Sequence, residues 1–161
     1  MATKADEDPL LDAVQALSRA LVAITARSLG MLNVDVTLTQ YRTLVVLASR
    51  GPQRTAELAA ELGVKPSTAT RLCDRLVQRG WVRRQSGQTD RRIVLIVLTA
   101  AGKQLVGKAM RRRRDLLSTL VDGIPPRQAE QAAKVMTRLA QAAGELPDGQ
   151  WWESWERSTR I

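Results

Sequence analysis

One stretch limits the fold of this chain more than any other. Two short amphipathic helical runs, Thr55 to Leu62 and Pro66 to about Gly80, are divided by a glycine-containing turn and followed by a β-branched run, Arg92 to Leu98. In the second helical run Ala69, Leu72, Cys73, Leu76 and Val77 recur on one side at helical spacing. Ser67, Thr70, Arg71, Asp74 and Gln78 fall opposite, with Thr68 and Arg75 at the margins. A helix, a tight turn and a second helix with hydroxyls and arginines on its open face predict a helix-turn-helix. Trp81 to Gln85 reads as a strand, Ser86 to Asp90 as turn chemistry, and Arg92 to Leu98 as the returning strand. A hairpin directly after such a helix is a wing, and its arginines can reach an adjacent minor groove.

The flanking segments read as helices. Asp8 followed by Pro9 predicts an N-cap with proline at the first helical position, opening a helix that runs to Gly30 with two apolar faces. A second helix is expected from Thr39 as N-cap to the stop at Gly51-Pro52. Thr99 caps a long helix from Ala100 to about Val121, the segment Asp122 to Pro126 breaks it, and a last amphipathic helix is expected over Arg127 to Ala143. The first and last two helices carry more apolar surface than a winged module of roughly 60 residues can cover, so dimerisation through them is expected. The expected fold is therefore mainly α with a small β-hairpin wing: a winged helix-turn-helix whose terminal helices form an intertwined homodimer. Its segments are a flexible start (1–8), a dimerisation helix and linker (9–38), the winged module (39–99), dimerisation helices (100–143) and a Trp-rich extension (144–161).

Charge points to the partner. The chain has 161 residues and a net charge of +9, and its 20 arginines far outnumber its 5 lysines. Residues 39–99 hold 11 basic and 4 acidic side chains, a net of +7, whereas residues 1–38 sum to −2 and residues 100–161 to +4. A basic, arginine-rich module suits phosphate and base-edge recognition, so double-stranded DNA is the expected partner. There is no histidine and only one cysteine, Cys73, which removes imidazole chemistry, thiolate-rich metal sites and an intrachain disulfide. No P-loop or GxSxG motif is present, and no enzymatic activity, cofactor or metal is expected. No run approaches the roughly 20 uninterrupted apolar residues of a membrane span, and the N-terminus lacks a signal pattern. The expected location is the cytoplasm, on the nucleoid.

Two motifs resemble those of one family. Pro66 to Arg84 (PSTATRLCDRLVQRGWVRR) is similar to the recognition helix and first wing strand of MarR-type transcriptional regulators. Asp90-Arg91-Arg92, five further residues and then Leu98-Thr99-Ala100-Ala101-Gly102 resemble that family's wing motif, D-x-R-x5-L-T-x-x-G. The resemblance implies a homodimeric repressor of transcription that binds a palindromic operator and is released by a small effector, often an aromatic or phenolic anion. It implies that Ser67, Thr68, Thr70, Arg71 and Arg75 enter the major groove and that Arg92, beside Arg91, enters the minor groove. Asp90 is expected to orient an arginine by an ion pair. The alternative is an architectural or non-ligand-gated DNA-binding protein.

Four other features have less specific readings. Cys73 is expected to be a buried, inert thiol rather than an oxidation switch. Arg111 to Arg114 point most of the way around a helix and are expected to form a solvated surface with one or two intersubunit ion pairs. Trp151, Trp152 and Trp155 share one helical face and are expected to dock on the dimer surface. Arg27, Tyr41, Trp81 and Arg84 are residue types that can meet an aromatic anion.

Overall fold

The computed structural model describes residues 8–87, 90 and 92–159. Helix α1 (Pro9–Gly30) begins where expected, because the Asp8 carboxylate accepts from the backbone N–H groups of Leu10 (2.9 Å) and Leu11 (3.2 Å). Helix α2 (Leu38–Arg50) begins two residues earlier than the sequence reading. Its N-cap is Thr37, whose hydroxyl accepts from Gln40 N–H at 3.2 Å while the Gln40 side chain accepts from Thr37 N–H at 2.9 Å. This reciprocal pair needs Gln three positions after the cap; Thr39 has Arg42 there and so sits inside the first turn.

Helices α3 (Thr55–Leu62) and α4 (Pro66–Gln78) are joined through Gly63, whose left-handed backbone (φ 62°) ends α3. Strands β1 (Val82–Ser86) and β2 (Val94–Leu98) pair antiparallel, Val82 opposite Leu98 and Ser86 opposite Val94. The returning strand starts at Val94 rather than Arg92, because Arg92 and Ile93 spend their N–H groups on the Asp90 side chain (2.9 Å) and carbonyl (3.1 Å). Gln53 adds a single bridge to Ile96 on the outer edge of β2, a pairing no strand pattern around Gln53 announces.

Helix α5 (Ala100–Val121) returns from the wing, followed by α6 (Pro126–Ala142) and α7 (Asp148–Thr159). Thr99 ties α5 to the recognition helix: its hydroxyl donates to the Gly80 carbonyl (2.6 Å) and accepts from Gly102 N–H (3.1 Å), and its own N–H donates to the Trp81 carbonyl (3.0 Å). The core of the winged module gathers Leu44, Leu47, Leu58, Leu76, Ile96 and Val106 from α2, α3, α4, β2 and α5.

Outside that core the chain is under-packed. No residue of α6 is buried, and Leu11, Val22, Leu120, Val135, Met136 and Leu139 lie exposed on α1, α5 and α6. Helix α1 is also long and apolar enough, by length and composition, to cross a membrane, with a mean hydropathy of 1.2 over 18 of its residues. That qualifies the expectation that no span is present. Asp12, Arg19 and Arg27 punctuate this helix, and alanine and leucine supply its hydropathy, so the apolar surface suits another amphipathic helix better than lipid.

The tail docks, although on its own chain. Trp151 is buried in the core of the winged module and stacks on Trp155, with ring centroids 5.7 Å apart and planes 13° from parallel. Trp155 rests on Gly107, where a Cβ would come within 3.3 Å of the ring. Helical spacing alone does not say which elements of the chain receive these rings; α2 and α5 do. The Trp152 side chain lies outside the described ones. Trp151→Ala is expected to destabilise the fold by about 3–5 kcal/mol, as large aromatic truncations in a core do. Urea denaturation checks this, and a loss below about 1 kcal/mol contradicts a core role.

Candidate nucleic-acid interface

Helix α4 divides as its sequence pattern requires. Ala69, Leu72, Cys73 and Leu76 are buried and Val77 and Asp74 half-buried, while Ser67, Thr68, Thr70, Arg71, Arg75 and Gln78 are exposed on the opposite side. Pro66 takes the first helical position and Lys65 the cap, with no side-chain bond closing the helix start. Pro66 carries no N–H, and those of Thr68 (2.9 Å) and Ala69 (3.1 Å) donate to the Lys65 carbonyl, so the Ser67 N–H is left at the helix start beside the exposed Ser67 and Thr68 hydroxyls, where the dipole favours phosphate oxygens or base-edge acceptors. Thr70 donates its hydroxyl hydrogen to the Pro66 carbonyl at 3.0 Å. Its oxygen lone pairs remain for a donor such as a base amino group.

Ion pairs decide which arginines are available. Arg84 of β1 is held by Asp74 of α4, which locks the wing strand to the recognition helix. Arg79 pairs with Asp35 at 3.4 Å and lies over the Trp81 ring, 5.6 Å from its centroid. Arg50 pairs with Glu61 (2.6 Å) and Arg42 with Glu145 (2.7 Å). Among the described residues Arg71, Arg75 and Arg92 form no ion pair, nor do Arg54 and Arg83, so the side chains expected to read DNA are uncommitted.

At the wing, Arg92 is exposed and its backbone is pinned by the Asp90 carboxylate. Asp90 is expected to orient an arginine through an ion pair; among the described residues its carboxylate accepts from the backbone N–H of Arg92. A short acidic side chain two residues before a free N–H closes an Asx turn more readily than it reaches a mobile guanidinium. Arg91 lies outside the described residues. The pairing of Asp74 with Arg84 escapes the sequence reading, because no local pattern links a helix face to a strand ten residues on.

Cys73 is 1% exposed, and burial pushes its thiol above the ordinary value despite opposing contributions from the Thr55 hydroxyl and the Arg84 guanidinium. A raised value keeps the sulfur protonated at neutral pH and therefore unreactive. Treating the native protein with peroxide is expected to leave DNA affinity unchanged, and a thiol-counting assay is expected to find Cys73 reactive only after denaturation. Rapid labelling of the folded protein contradicts this.

Of the residue types suited to an aromatic anion, Tyr41 lines a cleft of about 420 Å³ between α1, α2, α3 and α5. Trp81 is instead buried under Arg79, Arg84 is committed to Asp74, and Arg27 is exposed on α1.

This geometry has known counterparts. The model of the MarR family matches residues 36–94. An uncharacterized HTH-type transcriptional regulator, YhbI of Bacillus subtilis, is 31% identical over 69% of this chain and 74% of its own length. The chain belongs to the MarR family. The HTH-type transcriptional repressor MdtR of Bacillus subtilis is 31% identical over 67% of this chain and 70% of its own. The crystal structure of RV1404 from Mycobacterium tuberculosis superposes with a TM-score of 0.80 at 36% identity, over 89% of this chain and 99% of that one. As a MarR-family member the protein is a DNA-binding transcriptional regulator and not an enzyme.

The family motif now has a physical reading. Leu98 enters the core, Thr99 caps α5 and ties it to Gly80, and Gly102 leaves room for the Trp81 carbonyl.

Proposed function

We propose that this MarR-family regulator is a repressor that binds a palindromic operator as a homodimer and is released by a small organic anion. The observation that carries the reading is the exposed face of α4: acidic side chains engage Arg50, Arg79 and Arg84, while Arg71 and Arg75 stand open beside the Ser67, Thr68 and Thr70 hydroxyls. Arg71 and Arg75 lie one turn apart on α4, within reach of guanine O6 and N7 or the flanking phosphates. Arg92, with Arg91, would enter the minor groove from the wing.

The homodimer is supported by the exposed apolar faces of α1 and α6, which a second copy would cover with twofold symmetry suited to two half-sites. The effector is supported by two clefts that share Arg113. One, of about 520 Å³, is walled by Val14, Leu17, Leu21, Met136 and Leu139; the other is the Tyr41 cleft. Arg113 Nε is buried without a hydrogen-bond partner among the described residues. Burial pushes the Tyr41 phenol up, opposed by the Arg113 guanidinium, so the phenol stays a donor. An apolar wall with an unmatched guanidinium and a phenol suits an organic anion, which would satisfy the orphaned N–H. A MarR-family regulator of this kind acts where the chromosome is, in the cytoplasm.

Footprinting of DNA upstream of its own gene, with and without salicylate as probe, tests the reading. The expected result is a protected palindrome with half-sites about 10 base pairs apart. Salicylate is expected to weaken binding roughly 5- to 150-fold, the span of ordinary coupling free energies. Arg71→Ala should cost about 1–3 kcal/mol and relax preference at one position of each half-site. A steep salt slope with no preference for the promoter over random DNA would establish the architectural alternative instead.

A further inference from the structure

We infer that Lys108, Arg111 and Arg112 of α5 form a phosphate-binding patch that holds the DNA backbone beside the groove read by α4. These three side chains are exposed and share one side of α5, and together with Asn33 they line a concavity of about 470 Å³. The arginine run of α5 thus splits by direction: Arg113 turns into the cleft with Tyr41, while Arg111 and Arg112 join Lys108. Among the described residues none of the three makes a hydrogen bond or ion pair. Even Asp115, which lines the same concavity one turn further along, engages neither arginine. Arg42, Arg50, Arg79 and Arg84, by contrast, are each held by an acid.

Position links the patch to the reading surface. The α1–α2 turn lies between them. On one flank its Asp35 pairs with Arg79 and borders a second concavity with Arg75 and Gln78. On the other flank its Asn33, in a left-handed backbone (φ 50°) that short polar side chains tolerate, borders Lys108, Arg111 and Arg112. Cations therefore lie on both flanks of this turn, Arg75 and Arg79 on one and Lys108, Arg111 and Arg112 on the other, with Asp35 and Asp115 among them. Positions 108 to 112 span about 6 Å of helix, enough for about two successive phosphates of one strand at a rise of about 3.4 Å each. The patch lies outside residues 36–94, so it extends the DNA footprint beyond the recognition helix and wing. It rests on DNA binding and not on the effector.

The test is the salt dependence of affinity for a random-sequence duplex and for a footprinted site, using wild type and the K108Q/R111Q/R112Q variant of the full chain. The slope of log K against log salt is expected to fall by about 0.9 for each phosphate the variant no longer neutralises, on both duplexes alike. At about 0.15 M salt affinity should fall roughly tenfold or more, while R111K/R112K keeps the wild-type slope. An unchanged slope overturns the proposal. So does dissociation of the glutamine variant to a lower oligomeric state, which would assign the cations to intersubunit ion pairs. An unchanged slope together with inorganic phosphate raising the Tm of wild type but not of the variant places a free anion there and equally overturns it. Because the random duplex needs no operator, failure here is separable from failure of the operator reading.

Discussion

Gly102→Ala is expected to destabilise the protein by about 3 kcal/mol or more, the upper end of what overpacking costs. A Cβ at Gly102 would collide with the Trp81 carbonyl oxygen and sit 3.0 Å from Leu98 Cδ2. The Leu98 methyl can give way, but the carbonyl cannot easily: it accepts from Thr99 N–H, and the Thr99 hydroxyl binds Gly80 one residue before it. Relieving the clash would pull the start of α5 away from the end of α4 and break these bonds as well as the packing around them. Total stabilities of small domains are about 5–15 kcal/mol, so the change is a large fraction of what holds the fold. Thermal and urea denaturation read it directly, and a change below about 1 kcal/mol means that the α4–α5 junction is not rigid. DNA affinity is expected to fall with it, since the wing and recognition helix are joined across this junction.

Arg92→Ala is expected to have the opposite profile. The Arg92 side chain is exposed and has no ion-pair partner among the described residues, so stability and oligomeric state should stay at wild-type values. Affinity for a footprinted duplex should fall more than tenfold at about 0.15 M salt, more than about 1.4 kcal/mol, with a loss of A/T preference beside each half-site. The Asp90 bond to the Arg92 backbone N–H survives the substitution, which separates the loss of the guanidinium from a collapsed wing. A gel-shift titration showing unchanged affinity would remove the wing from the interface and leave α4 to carry recognition.

Much of this is legible in the sequence, for short-range reasons. The α4 face is readable because helical spacing sorts Leu72, Cys73 and Leu76 from Thr70, Arg71 and Arg75 whatever surrounds them. The Asp8 and Thr99 caps are readable because each closes within three residues. Sequence reading misplaces the N-cap of α2 because two threonines stand two residues apart, and only the reach of Gln40 distinguishes them. Nor does it announce the bond that Asp90 makes within the turn, where its carboxylate accepts from the Arg92 backbone N–H at 2.9 Å.

Periodicity, capping and turn chemistry act over a few residues, and they suffice to specify the helix-turn-helix, the wing, the basic module and the residues able to face DNA. Which arginines are available is settled at longer range. Asp35 reaches Arg79 across 44 positions, Glu145 reaches back from beyond α6 to Arg42, and Arg113 parts from its neighbours to enter a cleft. The place of the tryptophans is settled in the same way, because a seat made by α2 and α5 exists only once both are packed. Charge pairing and aromatic docking depend on distances through space, and those distances follow from the packing of the whole chain.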